Sequence, residues 1–153
     1  MGRDGTVDST RGVARGEVRP HVQAGEERRG FEIFPEDADH VVRLRLWGAW
    51  DMPLAKEFRR AVLDVARRLT GKPWWILSDS RLFYVQSPEI ALFRQEIMST
   101  VTRLGCQKIA AVVSSARYSQ QFFQMADDSH VRSAVFLDAA DALDWIQGSG
   151  PRS

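Results

Sequence analysis

The chain has 153 residues, 44% hydrophobic and 27% charged, which suits one globular domain with a real core and leaves too little length for two. Its 21 basic and 20 acidic residues give a net charge of +1, so there is no excess of Lys and Arg to neutralise phosphates and nucleic acid is not an expected partner. The single cysteine, Cys106, excludes an internal disulfide and fits a reducing compartment. With no apolar run near the ~20 residues of a membrane span and no signal-peptide pattern at the start, the expected location is the cytoplasm.

Residues 1–30 carry scattered charges and glycines, single valines and alanines, and no aromatic residue. Such a stretch buries too little apolar surface to offset the entropy of ordering it, so it is expected to be a disordered tail. Acidic residues interrupt its arginines throughout, which speaks against a basic docking arm.

Order is expected from Phe31. Phe31-Glu32-Ile33-Phe34 reads as a short strand, and Pro35 to Asp39 supplies turn chemistry. The next strand, Val41 to Trp47, alternates Val42, Leu44 and Leu46 on one face with Arg43, Arg45 and Trp47 on the other, so the pair forms a half-covered hairpin. Asp51 and Pro53 then start a helix whose apolar stripe is Leu54, Phe58, Val62, Val65 and Leu69, closed by Gly71 and Pro73.

Trp74 to Leu77 reads as a buried strand opening through Ser78-Asp79-Ser80 into an apolar loop, Arg81 to Gln86. Ser87-Pro88-Glu89 is a strong helix start, and Ile90, Phe93, Ile97, Val101 and Leu104 form the expected buried stripe before Gly105. Lys108 to Val113 gives a strand, Ser114-Ser115 a cap, and Ala116 to Ala126 a helix. Ala134 to Leu137 gives the last strand, and Asp138, with Asp141 three residues on, caps a final helix. The expected fold is therefore a single α/β domain over 31–147, with a four- to five-stranded, mostly parallel sheet, an antiparallel edge hairpin and about four helices. Residues 148–153 are expected to fray.

Three phrases in this order resemble the STAS-like (SpoIIAA-like) family, which includes bacterial anti-sigma-factor antagonists and the cytoplasmic domains of sulfate transporters. They are Leu46-Trp47-Gly48-Ala49-Trp50-Asp51, Trp74-Trp75-Ile76-Leu77-Ser78-Asp79, and the run from Phe136 to Ile146. The resemblance implies a bacterial, non-catalytic domain that docks onto protein partners or, in some branches, holds small ligands. In the sigma-antagonist branch a serine or threonine at the start of the second helix is phosphorylated in an Asp-Ser-Ser-Gly-like motif. The stretch here, Val85-Gln86-Ser87-Pro88-Glu89, departs from that motif while leaving Ser87 close to the switch position.

Ser87 is thus a candidate phosphate acceptor, with an ordinary N-cap as its alternative role. Asp79, Ser80, Ser114 and Ser115 stand at the carboxyl ends of neighbouring strands, where open α/β sheets take ligands, and are equally normal turn and cap formers. Leu82, Phe83, Tyr84 and Val85 either tuck under the sheet or form a patch for a partner. His21, His40 and His130 lack ligand spacing for zinc, no Gly-rich phosphate loop or Gly-x-Ser-x-Gly is present, and Cys106 reads as packing. The expectation is a non-enzymatic regulatory module with no cofactor or metal and a regulator or kinase-like protein as partner. A small ligand or lipid at the sheet edge is the alternative, and an exposed apolar face would permit a homodimer.

Overall fold

A computed structural model describes residues 22–34 and 39–148. Six strands form one sheet in the order of the sequence: β1 (Val22–Gly25), β2 (Gly30–Ile33), β3 (Val41–Gly48), β4 (Trp74–Phe83), β5 (Cys106–Val112) and β6 (Ser133–Phe136). β1, β2 and β3 pair antiparallel, and β3 to β6 run parallel. The connections carry α1 (Met52–Leu69), α2 (Pro88–Arg103) and α3 (Ala116–Ser129), and α4 (Ala139–Ile146) follows the last strand.

The topology dictates how the two faces are covered. Parallel crossovers are right-handed, and here each steps the same way across the sheet, so α1, α2 and α3 fall on one face. That face holds the main core, with Phe31, Ile33, Val42, Leu44, Leu46, Ile76 and Ile109 packed beneath the helices. Among the described residues only α4 reaches the other face, where Ala142 and Ile146 cover Val41, Leu77, Ala110 and Val112. From Ile109 to Val112 β5 is therefore buried on both sides, which explains the apolar run there. No helix among the described residues covers the β2–β3 side of that second face, which carries the half-buried Glu32, Arg43, Arg45 and Trp47, as the alternation of β3 predicts.

Three expectations need correction. Residues 22–30, expected within a disordered tail, form β1 and the first residue of β2, which makes six strands. Backbone pairing to β2 orders this segment more than side-chain burial does, although Val22 and Ala24 lie against the core. Gly25 turns the chain at φ +104°, and Gly30 lets the Trp47 ring approach its backbone closely, since a Cβ there would meet Trp47 Cζ2 at 2.5 Å. Residues 1–21, the turn at 35–38 and the end at 149–153 lie outside the described residues.

The second correction concerns β4, which continues through Ser78-Asp79-Ser80 to Phe83 instead of opening into a loop. Pairing with β3 sustains it: Arg45 faces Asp79 and Trp47 faces Leu82, so β4 uses one residue more than β3 across this step. The bulge resets the alternation, turning Leu82 out to 61% exposure and Phe83 into the core at 3%. In the third, the buried stripe of α2 is Ile90, Arg94, Ile97, Met98 and Val101, with Phe93 and Leu104 only partly buried. A charge occupies the inward position that the sequence reading gave to Phe93.

Candidate functional site

The carboxyl ends of β3, β4, β5 and β6 gather the connections to the four helices along one edge. Each helix starts on a side-chain cap. Asp51 accepts from the Leu54 amide at 3.0 Å, Ser87 from Ile90 at 3.3 Å, Ser115 from Tyr118 at 3.1 Å and Asp138 from Asp141 at 3.0 Å. These bonds satisfy amides that would otherwise lack partners in the first turn.

Gln86 holds this edge together and is itself buried at 4% exposure. Its Oε1 accepts from the Trp50 amide at 2.8 Å, and its Nε2 donates to the carbonyls of Gly48 at 3.1 Å and Tyr84 at 2.6 Å. Its backbone exchanges a reciprocal pair with Gln121 of α3: the Gln86 amide donates to Gln121 Oε1, and Gln121 Nε2 donates to the Gln86 carbonyl, both at 2.9 Å. One side chain thus ties the β3–α1 connection to the β4–α2 connection, and its backbone ties both to α3. Beneath it runs a chain of rings, Phe58–Trp50 at 5.0 Å, Trp50–Phe83 at 5.0 Å and Phe83–Tyr118 at 5.4 Å between centroids.

On this frame Leu82, Tyr84 and Val85 point outward, exposed at 61%, 63% and 40%. Phe83, expected in the same patch, belongs to the core. Ser87 is exposed at the edge of the patch, its Oγ engaged as the α2 cap.

The candidate ligand residues do not converge. Asp79 is engaged by the Arg81 guanidinium, with Nε to Oδ1 at 3.0 Å and Nη2 to Oδ2 at 2.8 Å, a pairing that raises the Arg81 pKa. Ser80 is buried on the opposite face, its hydroxyl 3.1 Å from that of Ser78. Ser114 donates to the Arg81 carbonyl at 2.6 Å, and Ser115 caps α3. Cys106 is buried with its Sγ 3.4 Å from the Lys108 carbonyl, and burial pushes its thiol up to about 12, far from the range of a nucleophile at neutral pH.

Two residues that the sequence reading passed over stand out. Nothing in the local pattern marks Gln86, which sits between exposed Val85 and exposed Ser87. Arg94 did carry a signal, since it lies in helical phase with Ile90, Ile97 and Val101. Elsewhere, Lys56, Arg59, Arg60 and Arg67 of α1 line a surface groove of about 360 Å³ against Phe93 of α2, a local basic excess that the near-neutral net charge hides. Among the described residues no group of three His, Cys, Asp or Glu side chains is placed to hold a metal, and no helix is long and apolar enough to cross a membrane.

Set against solved structures, this arrangement is that of a SpoIIAA-like fold. An uncharacterised DUF3478-family protein with a SpoIIAA-like fold from Shewanella loihica PV-4 aligns over 80% of this chain and 98% of its own, with a TM-score of 0.62 and 13% identity. An anti-sigma factor antagonist from Mycobacterium paratuberculosis aligns over 76% of this chain and 94% of its own, with a TM-score of 0.54 and 14% identity. No family model and no curated protein matches the sequence. At these identities the likeness defines the fold.

Proposed function

We propose that this chain is a non-catalytic regulatory module of the bacterial cytoplasm that docks a protein partner on the corner between β4 and α2. The observation that carries the reading is the exposure of Leu82, Tyr84 and Val85 on a connection pinned by Gln86. Apolar side chains on a slack loop collapse onto the nearest surface. Held out on a fixed backbone, they present a preformed apolar anchor whose binding requires little further ordering. The fold neighbour named as an anti-sigma factor antagonist lends support, because that name describes action on another protein, and a regulator or kinase-like protein is the partner class we infer.

Ser87 gives the corner a means of control. A phosphate there would set a charge of about −2 at the rim of the apolar patch, beside the positive end of the α2 dipole, which favours it. The same charge would oppose docking of an apolar partner. The alternative of a small ligand at this edge has less behind it, because Asp79, Ser80, Ser114 and Ser115 already spend their polar atoms on neighbours within the fold.

The test compares wild type with a Leu82→Ser/Tyr84→Ser double variant as bait in native extract. The expected result is a stoichiometric partner captured by wild type and lost from the variant, with both showing the same circular dichroism and thermal midpoint. Equal capture by both would refute the corner as the docking site. Mass spectrometry of the native protein across growth conditions tests Ser87, and an unmodified serine throughout removes the switch.

A further inference from the structure

Arg94 lies in the core at 7% exposure. Its Nη1 donates to the Tyr118 hydroxyl at 3.1 Å and sits 3.9 Å from Met125 Sδ, and its guanidinium stacks 4.9 Å from the Phe83 ring centroid and 6.0 Å from that of Trp50. Its Nε is buried and has no hydrogen-bond partner. Among the described residues no carboxylate pairs with it. A guanidinium keeps its charge in a protein, and one phenol with two ring faces only partly replaces the water it has lost. Such a group is normally paired with an anion.

The same side chain lines a cavity of about 40 Å³ between the sheet and the helices, walled by Leu44, Val62, Ile76 and Met98 and touched by Ser78. At roughly 10–15 Å³ for each water-sized position, that is room for about three or four atoms. We propose that this cavity binds a small monocarboxylate, of formate to acetate size, whose carboxylate pairs with Arg94 and whose carbon end rests on the aliphatic wall. Planar two-oxygen anions match the guanidinium fork. Phosphate, with four oxygens, would find only the Ser78 hydroxyl for the rest on an otherwise apolar wall. Met98, unbranched and adaptable, gives the cavity some freedom to open. The proposal is independent of docking at the β4–α2 corner.

The experiment follows wild-type protein by thermal shift and by the Arg94 Nε–H resonance in ¹⁵N-edited spectra, titrating sodium acetate and sodium formate. Sodium chloride and phosphate at matched ionic strength control for anions gathering in the basic α1 groove. A saturable rise in Tm is expected, about 4 °C at ten times Kd, with the resonance moving along the same isotherm. Arg94→Met should lose the carboxylate-dependent rise. Because the resonance is read in wild type, the test stands even where that variant does not fold. A resonance that stays still, or a Tm rise that Arg94→Met retains, overturns the proposal. Equal movement with chloride overturns it as well, leaving an adventitious ion only.

Discussion

On the face of the sheet that α4 leaves partly bare, Arg45 meets Glu32 at 3.1 Å and Arg81 meets Asp79 at 2.8 Å. On the face beneath α1, α2 and α3, Arg94 has no carboxylate partner among the described residues. Water and salt screen charges on the bare face, so those pairs contribute little and their absence would cost little. On the covered face the same imbalance is expensive. The contrast teaches where an unpaired charge carries information: beside solvent it marks nothing, and beside a cavity in the core it asks for a ligand.

The largest effect that would sharpen this contrast comes from two adjacent residues. Phe83→Ala removes a ring packed between Trp50 and Tyr118 and beneath Arg94, and should cost about 3–5 kcal/mol in urea unfolding. Tyr84→Ala, one residue further on and 63% exposed, should change stability by less than about 0.5 kcal/mol. Equal losses at the two positions would mean that the bulge does not set the phase of β4. Next in size is Gln86→Ala, which strips partners from the Trp50 amide and the Gly48 and Tyr84 carbonyls. Its expected cost is about 2–3 kcal/mol, with faster amide exchange at Trp50 as the local sign.

Much of this fold was legible because its signals are local and repeated. The alternation of Val42, Leu44 and Leu46 against Arg43 and Arg45 gave the two faces of β3, and Asp51, Ser87, Ser115 and Asp138 read as caps and are caps. What stayed hidden has a physical reason in each case. β1 is four residues long and ordered mostly by backbone pairing, which leaves no side-chain pattern to read. The β4 bulge is a backbone event, so Leu82 to Val85 could be named as a group but not sorted into one buried and three exposed side chains. On α2, Phe93 and Arg94 flank the same stripe, and preferring the apolar residue is the sound rule that a buried charge breaks.

Cys106 offers a smaller effect on the covered side. Its thiol has a reference value of 9.0 and is pushed up to about 12 by burial. Below pH 9 both folded and unfolded chains hold the proton, and the group adds no pH dependence. As the pH rises from 9 towards 12 the unfolded chain releases it first, so stability falls by roughly 1.4 kcal/mol per unit. Urea midpoints of wild type and Cys106→Ala, compared from pH 8 to pH 10, should show the steeper loss in wild type. Parallel profiles would mean that the thiol is reached by water.

The smallest expected effect belongs to the bare face. Glu32 and Arg45 are directly opposed on β2 and β3, and Arg45 also lies over the Trp47 ring at 5.1 Å. The Arg45 side chain is 38% exposed and that of Glu32 14%, so solvent takes part of the Coulomb attraction. A double-mutant cycle with Glu32→Gln and Arg45→Met should give a coupling of about 0.5 kcal/mol, shrinking as salt is added. Much of the Arg45 single-variant effect should survive in salt, because the contact with Trp47 includes the aliphatic stem as well as the charge. A coupling of several kcal/mol, insensitive to salt, would show that this face is shielded from water, and charge on it would then have to be read as it is at Arg94.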